Sequence, residues 1–576
     1  MNKQSNLVFQ CVFGALGAAI GFLAGCNLNS APMSSSASFG GSAGCGPLNV
    51  GGFEGGVPSF PDGGPPPGTI GAGGFCGGFV DPNLRPSFAS TVTASAPPPP
   101  ISGGTLIALT DGKTAVAADP DRDALYVVDI AGAAVTYTFT LQPGDEPGRL
   151  VEDGMKRVHV SLRSGGALVT IDPTKGTILA RRNVCPAPRG TAWDSATDLV
   201  WVACATGELV ALPAGGGAAT VRRVVERDLR DVVIDNGSIA VTKFRSAEVL
   251  RLASDGTIAR RDGLPNDGSF APHVLWRAVS GPSKKMVTVH QEHSTAPLPT
   301  HVVGGYGMGP ESGAVTHRCT VMNGDGSVET SVRLEGVLPV DVALSPDGSN
   351  AAVVAAGDGF VPGLASLFLV PLSSAASPIS PPPANGPVQI SNGPVQVFGA
   401  DGGTGVFKIG PSALPFGTGE KQMRSAGAPL PVGQTPIAVA FDTSGHVLVQ
   451  TREPARLWVI DAPGVSPGAW LAGTAGTEIT LSAVSRDDTG HDVFHASAGA
   501  TIACASCHPE GGDDGHKWLL DGEPRRTPSL RGTIAGTAPY HWPGDEADLV
   551  VLTDDVYSQR MNGAKLEVSQ MTALTG

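Results

Sequence analysis

The chain has 576 residues, too many for one ordinary domain, with a formal net charge of −14 and only 16% charged residues, against about 25% in a typical soluble domain. Lysine and arginine form no basic stripe, which sets nucleic acid aside as a partner. The 79 glycines and 49 prolines require many turns and some unstructured stretches, with little helix.

Lys3 precedes the apolar run LVFQCVFGALGAAIGFLAG, which ends in Leu23-Ala24-Gly25-Cys26. A positive start, an apolar stretch and small residues directly before a cysteine make an export signal. The run is also about long enough to span a bilayer, so a plain membrane anchor is the alternative. Leu23 to Cys26 resemble the lipobox of bacterial lipoproteins. That resemblance implies a signal peptide over 1–25, acylation of Cys26 and attachment to a membrane through lipid. Asn27 stands where an aspartate would hold such a protein at the inner membrane. The implied location is the outer membrane, periplasmic or cell-surface, in an oxidising compartment.

Residues 26–104 are low in complexity, with stretches such as SAPMSSSASFGGSAG, PDGGPPPGTIGAGG and SAPPPP. Such composition buries too little apolar surface to offset the entropy of ordering, and reads as a tether. Cys45 and Cys76 lie in this arm and are candidates to pair. Further on, Cys185 and Cys204 flank an expected strand pair and are candidates for a second disulfide. Cys319 has no evident partner, and connectivity does not follow from sequence alone.

From 105 to 480 the pattern changes to short β-rich segments separated by Gly, Asp, Asn and Pro turns. GRLVEDGMKRVHVSLRSGGALVTIDPTKG (148–176), RGTAWDSATDLVWVACATGELVALPAGGG (189–217) and LRDVVIDNGSIAVTKFRSAEVLRLASDG (229–256) are copies of one unit, spaced by roughly forty residues. Later copies occupy 340–359 and 436–461. A ring of such units closes its strand edges, which is the propeller solution to an edge problem. The unit resembles the YVTN/NHL-like propeller repeat, implying about seven blades, with insertions near 290–315 and 375–435. A β-sandwich is the rival architecture. The first insertion carries His290, His293 and His301, which suggest either a metal- or haem-facing site or solvated loop histidines; no carboxylate or thiol completes a ligand set.

Residues 485–576 read differently. Cys504-Ala505-Ser506-Cys507-His508 is a C-x-x-C-H motif, the haem c attachment pattern. Two thiols separated by two residues reach two vinyl groups on one porphyrin edge, and the next residue sets an imidazole under the iron. A structural zinc site needs a second ligand pair, and no second thiol pair follows. A thioredoxin-type dithiol sits in a βαβ context, whereas a long β region precedes this one. GHDVFHASAGATIACASCH resembles the opening helix of a class I cytochrome c followed by its attachment loop, which implies a helix on which Gly490, Val493 and Phe494 face the porphyrin.

The ordered set CASCHPEGGDDGHKW, Thr527-Pro528-Ser529-Leu530 and Tyr540-His541-Trp542-Pro543-Gly544 resembles the N-terminal half of the di-haem cytochrome c peroxidase and MauG-like family. The likeness spans about ninety residues. It implies a small α-helical cytochrome c domain with one covalent haem c, attached at Cys504 and Cys507 and ligated by His508. His541 or Met561 is the candidate for the sixth ligand or the distal, catalytic group, with His516 as a third. Arg525 and Arg526 are candidates to pair with haem propionates, or else form a solvated turn. Trp518 and Trp542 pack on the haem edge or serve as ordinary core. The chain departs from the family in two ways. No second C-x-x-C-H occurs within the 576 residues, and Pro543 stands where the family has an aspartate. Either one haem works with a redox partner, or the natural chain continues into a second haem domain.

The expected whole is a multidomain protein: an all-β propeller with its own core, then an independently packed cytochrome domain. Its expected function is membrane-anchored electron transfer, with peroxidase-like oxidoreductase chemistry as an extension. The alternative is a propeller-based binding or scaffold lipoprotein with a structural or vestigial haem.

Overall fold

A computed structural model describes residues 85–88, 90–235, 237–307, 313–361, 366–372, 395–398, 404–407, 426–428, 434–461, 476–499, 501–532 and 534–576. The expected signal peptide, the lipidation site Cys26 and the Cys45 and Cys76 pair lie outside these residues.

Among the described residues, seven four-stranded antiparallel sheets follow one another along the chain, as the blades of a β-propeller. They span residues 106–140, 147–183, 188–224, 229–263, 270–334, 339–428 and 436–480. The first strand of each blade is innermost and packs beside the first strands of its neighbours. The ring closes where Leu106–Ala108 of blade 1 meets Pro436–Phe441 of blade 7. Each blade is built from strands consecutive in the chain, except that a two-stranded hairpin intervenes in blade 6 before its outer strand, Ala426–Ala428.

The local chemistry explains the meander. Aspartates at strand ends accept hydrogen bonds from backbone amides two residues on, which closes the turn that the next strand needs. Asp172 accepts from the Thr174 amide at 3.0 Å, Asp194 from Ala196 at 3.1 Å and Asp442 from Ser444 at 2.9 Å. The strands between them are rich in valine, leucine and alanine, whose side chains pack between neighbouring blades. Val116, Leu125, Val160 and Ile171 join blades 1 and 2. Ala115, Ala117, Leu448 and Leu457 join blades 1 and 7. Cys185 and Cys204 form a disulfide between the end of blade 2 and the second strand of blade 3.

Charged residues line the axis. Arg149 on blade 2 lies 2.5 Å from Asp231 on blade 4, and Arg277 on blade 5 bridges Asp231 at 3.0 Å and Asp341 at 3.1 Å. Burial pulls the Arg149 guanidinium down to about 9, the Asp231 carboxylate opposing that shift. Removing either member of such a pair would strand a buried charge.

The C-terminal segment does not keep a separate core. Ala503 and Ala505 are buried in the same apolar cluster as Trp276, Val289, Val353 and Val449 of blades 5 to 7. Leu298, Ala314 and Val315 of blade 5 share another with Val493, Ile502, Trp518 and Met561. The propeller and the segment after 485 are continuous in packing, contrary to the expectation of independent cores. The low-complexity arm is likewise not all tether. Its last residues run along the C-terminal segment, with the Ala94 amide on Asp488 at 2.9 Å and the Ile101 amide on His495 Nε2 at 3.2 Å. Residues 101–104 are buried. Backbone pairing, to which composition is blind, orders this strap.

Candidate functional site

Four helices frame the segment: α1 (Thr489–His495), α2 (Cys504–Cys507), α3 (Leu549–Thr553) and α4 (Val568–Thr575). Asp488 caps α1, accepting from the His491 amide at 2.9 Å. Gly490 is tight against α4: a Cβ there would overlap the Ala573 carbonyl oxygen. This glycine therefore serves helix packing rather than a porphyrin-facing surface. Val493 is fully buried in the apolar cluster.

α2 is a single turn, and its hydrogen bonds set the motif. The His508 amide donates to the Cys504 carbonyl at 2.9 Å, bringing the imidazole beneath the turn. Ser506 Oγ accepts from the Ala503 amide at 3.2 Å. Gln291 of blade 5 donates to the Ser506 carbonyl at 2.8 Å, and the Trp276 indole donates to Gln291 Oε1 at 3.2 Å. The propeller thus holds the C-x-x-C-H turn directly.

Cys504 and Cys507 are not in a disulfide. Burial pushes the Cys504 thiol up to about 12 and the Cys507 thiol well above its ordinary value. A nucleophilic or redox dithiol has the opposite shift, so the surroundings disfavour a thioredoxin-type role. His508 Nδ1 lies 3.2 Å from the Gly512 carbonyl. The ring also hydrogen-bonds to the backbone of Pro528, so two backbone groups fix its orientation. Burial lowers the pKa of this ring and favours the neutral form that a metal requires.

The apolar cluster around the two cysteines contains Trp518, Leu520, Tyr557, Met561, Leu566 and Met571. Met561 is 3% exposed. It follows a π-helical stretch, Asp554–Arg560, which continues directly from α3. The Tyr557 hydroxyl is buried without a hydrogen-bond partner among the described residues. Its pKa is raised by burial first, then by the neighbouring Cys504 thiol. Gly563 makes room for this ring: a Cβ would come within 2.5 Å of it.

The blade 5 insertion forms one wall. Its Gly304 amide donates to the Gln559 carbonyl at 2.7 Å, Tyr306 to Arg560 at 3.1 Å and Leu298 to Leu519 at 2.8 Å. The three histidines singled out in its sequence do not converge. His290 is buried inside blade 5 on Thr320, 2.9 Å away, while the His301 side chain is 86% exposed. His293 instead meets two residues from elsewhere. Its ring centroid lies 3.5 Å from that of His516 and 5.4 Å from that of His273. Trp518 borders all three and donates to Asp514 at 2.9 Å and to Thr527 at 3.0 Å.

The remaining sequence candidates are distributed as follows. His541 is engaged at both ring nitrogens, Nδ1 with Asp545 at 2.7 Å and Nε2 with Arg560 at 3.1 Å. Trp542 is 40% exposed and donates to the Arg526 carbonyl at 3.3 Å. Arg525 is half-buried and Arg526 exposed, on the hairpin of Lys517–Leu520 and Glu523–Arg526. Thr527 is buried, and the Leu530 amide donates to the Gly511 carbonyl at 3.2 Å, so the TP-x-L stretch runs alongside the His508 turn. The structure brings Cys504, Cys507, Met561 and Trp518 together; it sets His541 and Trp542 in a more exposed turn.

Sequence reasoning missed Glu510. It is 4% exposed, and its carboxylate meets Arg230 at 2.5 Å, Arg189 at 3.2 Å, Arg531 at 3.6 Å and Arg163 at 3.8 Å. Burial alone would raise its pKa; Arg189, Arg230 and Arg163 outweigh that and hold it well below the carboxylate range. Tyr306, Tyr557 and Gln291 were missed as well. Tyrosine scarcity, with five in the chain, was the one available signal for the first two.

No family model matches the sequence, and no curated protein matches it. Among solved structures, the chain is similar to a hydrazine synthase structure from Kuenenia stuttgartiensis, at 13% identity and TM-score 0.46, over 65% of this chain and 98% of that one. It is similar to a streptogramin B lyase at 9% identity and TM-score 0.37, over 63% and 94% of the two chains. A virginiamycin B lyase from Staphylococcus aureus with quinupristin follows at 10% identity and TM-score 0.39, over 63% and 95%. Likeness at this level says nothing of what this chain binds or does.

Proposed function

We propose that this chain is an exported, lipid-anchored c-type cytochrome that transfers electrons, with its haem c site built against the propeller. One observation carries the reading. A C-x-x-C-H turn presents two unpaired thiols in an apolar cluster with a buried methionine, while its histidine is oriented by the backbone of Gly512 and Pro528. These are the donors that a covalent haem needs. The partnerless Tyr557 hydroxyl in the same cluster is what a polar contact from a bound group would satisfy. Cys504 and Cys507 would hold the haem as thioethers, with His508 as the proximal ligand. When bound, the group supplies one-electron chemistry at iron.

The protein's own residues do the rest. The apolar cluster excludes water and raises the cost of charge at the site. Gln291 and Gly512 fix the turn and the imidazole plane. Met561 is the better sixth-ligand candidate, because it is buried beside the cysteines, whereas His541 would have to give up Arg560 or Asp545. Were the Met561 thioether to ligate the iron, it would raise the potential and favour electron transfer over peroxide chemistry. Export and acylation at Cys26 complete the proposal, with a redox partner protein or a second haem domain as electron source or sink. The test is a reduced-minus-oxidised spectrum of the exported protein, followed by addition of peroxide. A low-spin haem c inert to peroxide is expected. A high-spin ferric haem that reacts quickly would replace this reading with a peroxidase-like one, and absence of haem would leave a propeller-based binding lipoprotein.

A further inference from the structure

We infer that Glu510 is a positioning residue for the haem ligand His508, clamping the ligand turn into the arginine-lined mouth of the propeller axis and balancing the charge of those arginines beside the iron site. The inference rests on the haem reading above.

Glu510 lies two residues beyond His508, with φ +53°, a left-handed conformation that costs energy for a residue with a side chain. That conformation sends the side chain toward the axis. Its two oxygens are divided among partners from different elements. Oε1 takes Arg230 of the blade 4 inner strand and the Ser102 hydroxyl of the strap, both at 2.5 Å. Oε2 takes Arg189 of the blade 3 inner strand at 3.2 Å. The Glu510 carbonyl is held by Arg531 at 2.9 and 2.6 Å. The turn closes on itself between these anchors, with the Gly511 amide on the His508 carbonyl at 2.9 Å and His508 Nδ1 on the Gly512 carbonyl. The carbonyl that orients the imidazole is therefore two residues from a side chain fixed by two blades. Groups of this kind, one step behind a ligand, set its orientation and the electronics of the metal.

The electrostatic consequence has a definite sign. Four guanidiniums face one carboxylate here. Removing the carboxylate leaves positive charge near the iron, which favours the ferrous over the ferric form. Removing an arginine does the opposite.

The test uses the full, exported, haem-loaded chain at one fixed pH, with haem-to-protein ratio and equilibrium redox titration measured for wild type, Glu510→Gln and Arg531→Gln. The Arg531 side chain is 57% exposed, so its replacement leaves no buried charge unpaired and keeps the test open if the Glu510 variant does not fold. Glu510→Gln is expected to retain haem and to raise the ferrous-to-ferric ratio at a fixed applied potential by about tenfold, about 59 mV for a one-electron couple. Arg531→Gln is expected to lower that ratio. Amide exchange over residues 504–512 should quicken in the Glu510 variant. Potentials equal to wild type in both variants, with haem attached, would overturn the inference even if stability falls, because that is the signature of a merely structural ion pair. A wild-type protein without covalent haem would instead bring down the haem reading itself.

Discussion

The Glu510 carboxylate sits 2.5 Å from the Arg230 guanidinium, joining residues 280 apart in the chain, and both side chains are buried. This contact ties the turn after the C-x-x-C-H motif to the propeller axis. Replacing Glu510 with alanine leaves Arg230 and Arg189 without the carboxylate that compensates them, for which a loss of about 3–5 kcal/mol is expected. Denaturant unfolding followed by both β-type circular dichroism and tryptophan fluorescence should show the loss in one shared transition. Two separated transitions would mean that the propeller and the C-terminal segment unfold independently after all.

Met561 and His541 make opposite predictions. Met561→Ala should convert a low-spin ferric spectrum to high-spin and abolish any red-edge charge-transfer band of methionine ligation. His541→Ala should leave ligation unchanged, since its ring is committed to Asp545 and Arg560. Should the His541 variant change spin state while the Met561 variant does not, the assignment reverses.

Gly563→Ala places a methyl group 2.5 Å from the Tyr557 ring. Overpacking of this kind typically costs about 1–3 kcal/mol. The expected outcome is a lower melting temperature and a reduced haem-to-protein ratio, both relieved by adding Tyr557→Leu. A variant with wild-type melting and haem content would show that this ring is not fixed.

Buried histidines give the fold an acid dependence. Burial depresses His290 and His317 from 6.5 to about 3. Between those values the unfolded chain binds protons that the folded chain does not. Stability is therefore full above pH 6.5 and falls as pH drops toward 3, by about 1.4 kcal/mol per pH unit for each such proton. Urea midpoints measured across that window should decline, and His317→Gln should flatten the decline. A flat profile in wild type would show that these rings are not held neutral.

Much of the fold was legible, and the gaps have physical causes. In blades 2 to 4 the first three strands carry apolar runs and turns with aspartate, so the copies at 148–176, 189–217 and 229–256 map onto them. Outer strands such as Thr177–Asn183 are largely exposed, with Arg181 and Arg182 in place of an apolar face, and left no pattern to find. The strap before blade 1 looked like tether because Ser and Pro dominate it, yet its backbone is paired with Asp488 and His495. Within the candidate site, spacing alone singled out Cys504, Cys507 and His508, which the structure places in one turn. Glu510, flanked by Pro509 and Gly511, had no local signature, because its meaning lies in arginines brought in by other blades. His293 was singled out with the wrong companions: proximity in sequence suggested His290 and His301, whereas alternation along a strand separates such neighbours and the fold supplies His273 and His516.

The most direct measurement is the mass of the chain after export, purification and full denaturation, for wild type and for Cys504→Ala with Cys507→Ala. The account predicts that wild type retains the mass of one haem under denaturing conditions and stains for haem peroxidase activity in a gel, and that the double variant loses both. A wild-type chain of apoprotein mass, recovered from a host that attaches haem to other exported cytochromes, would contradict it.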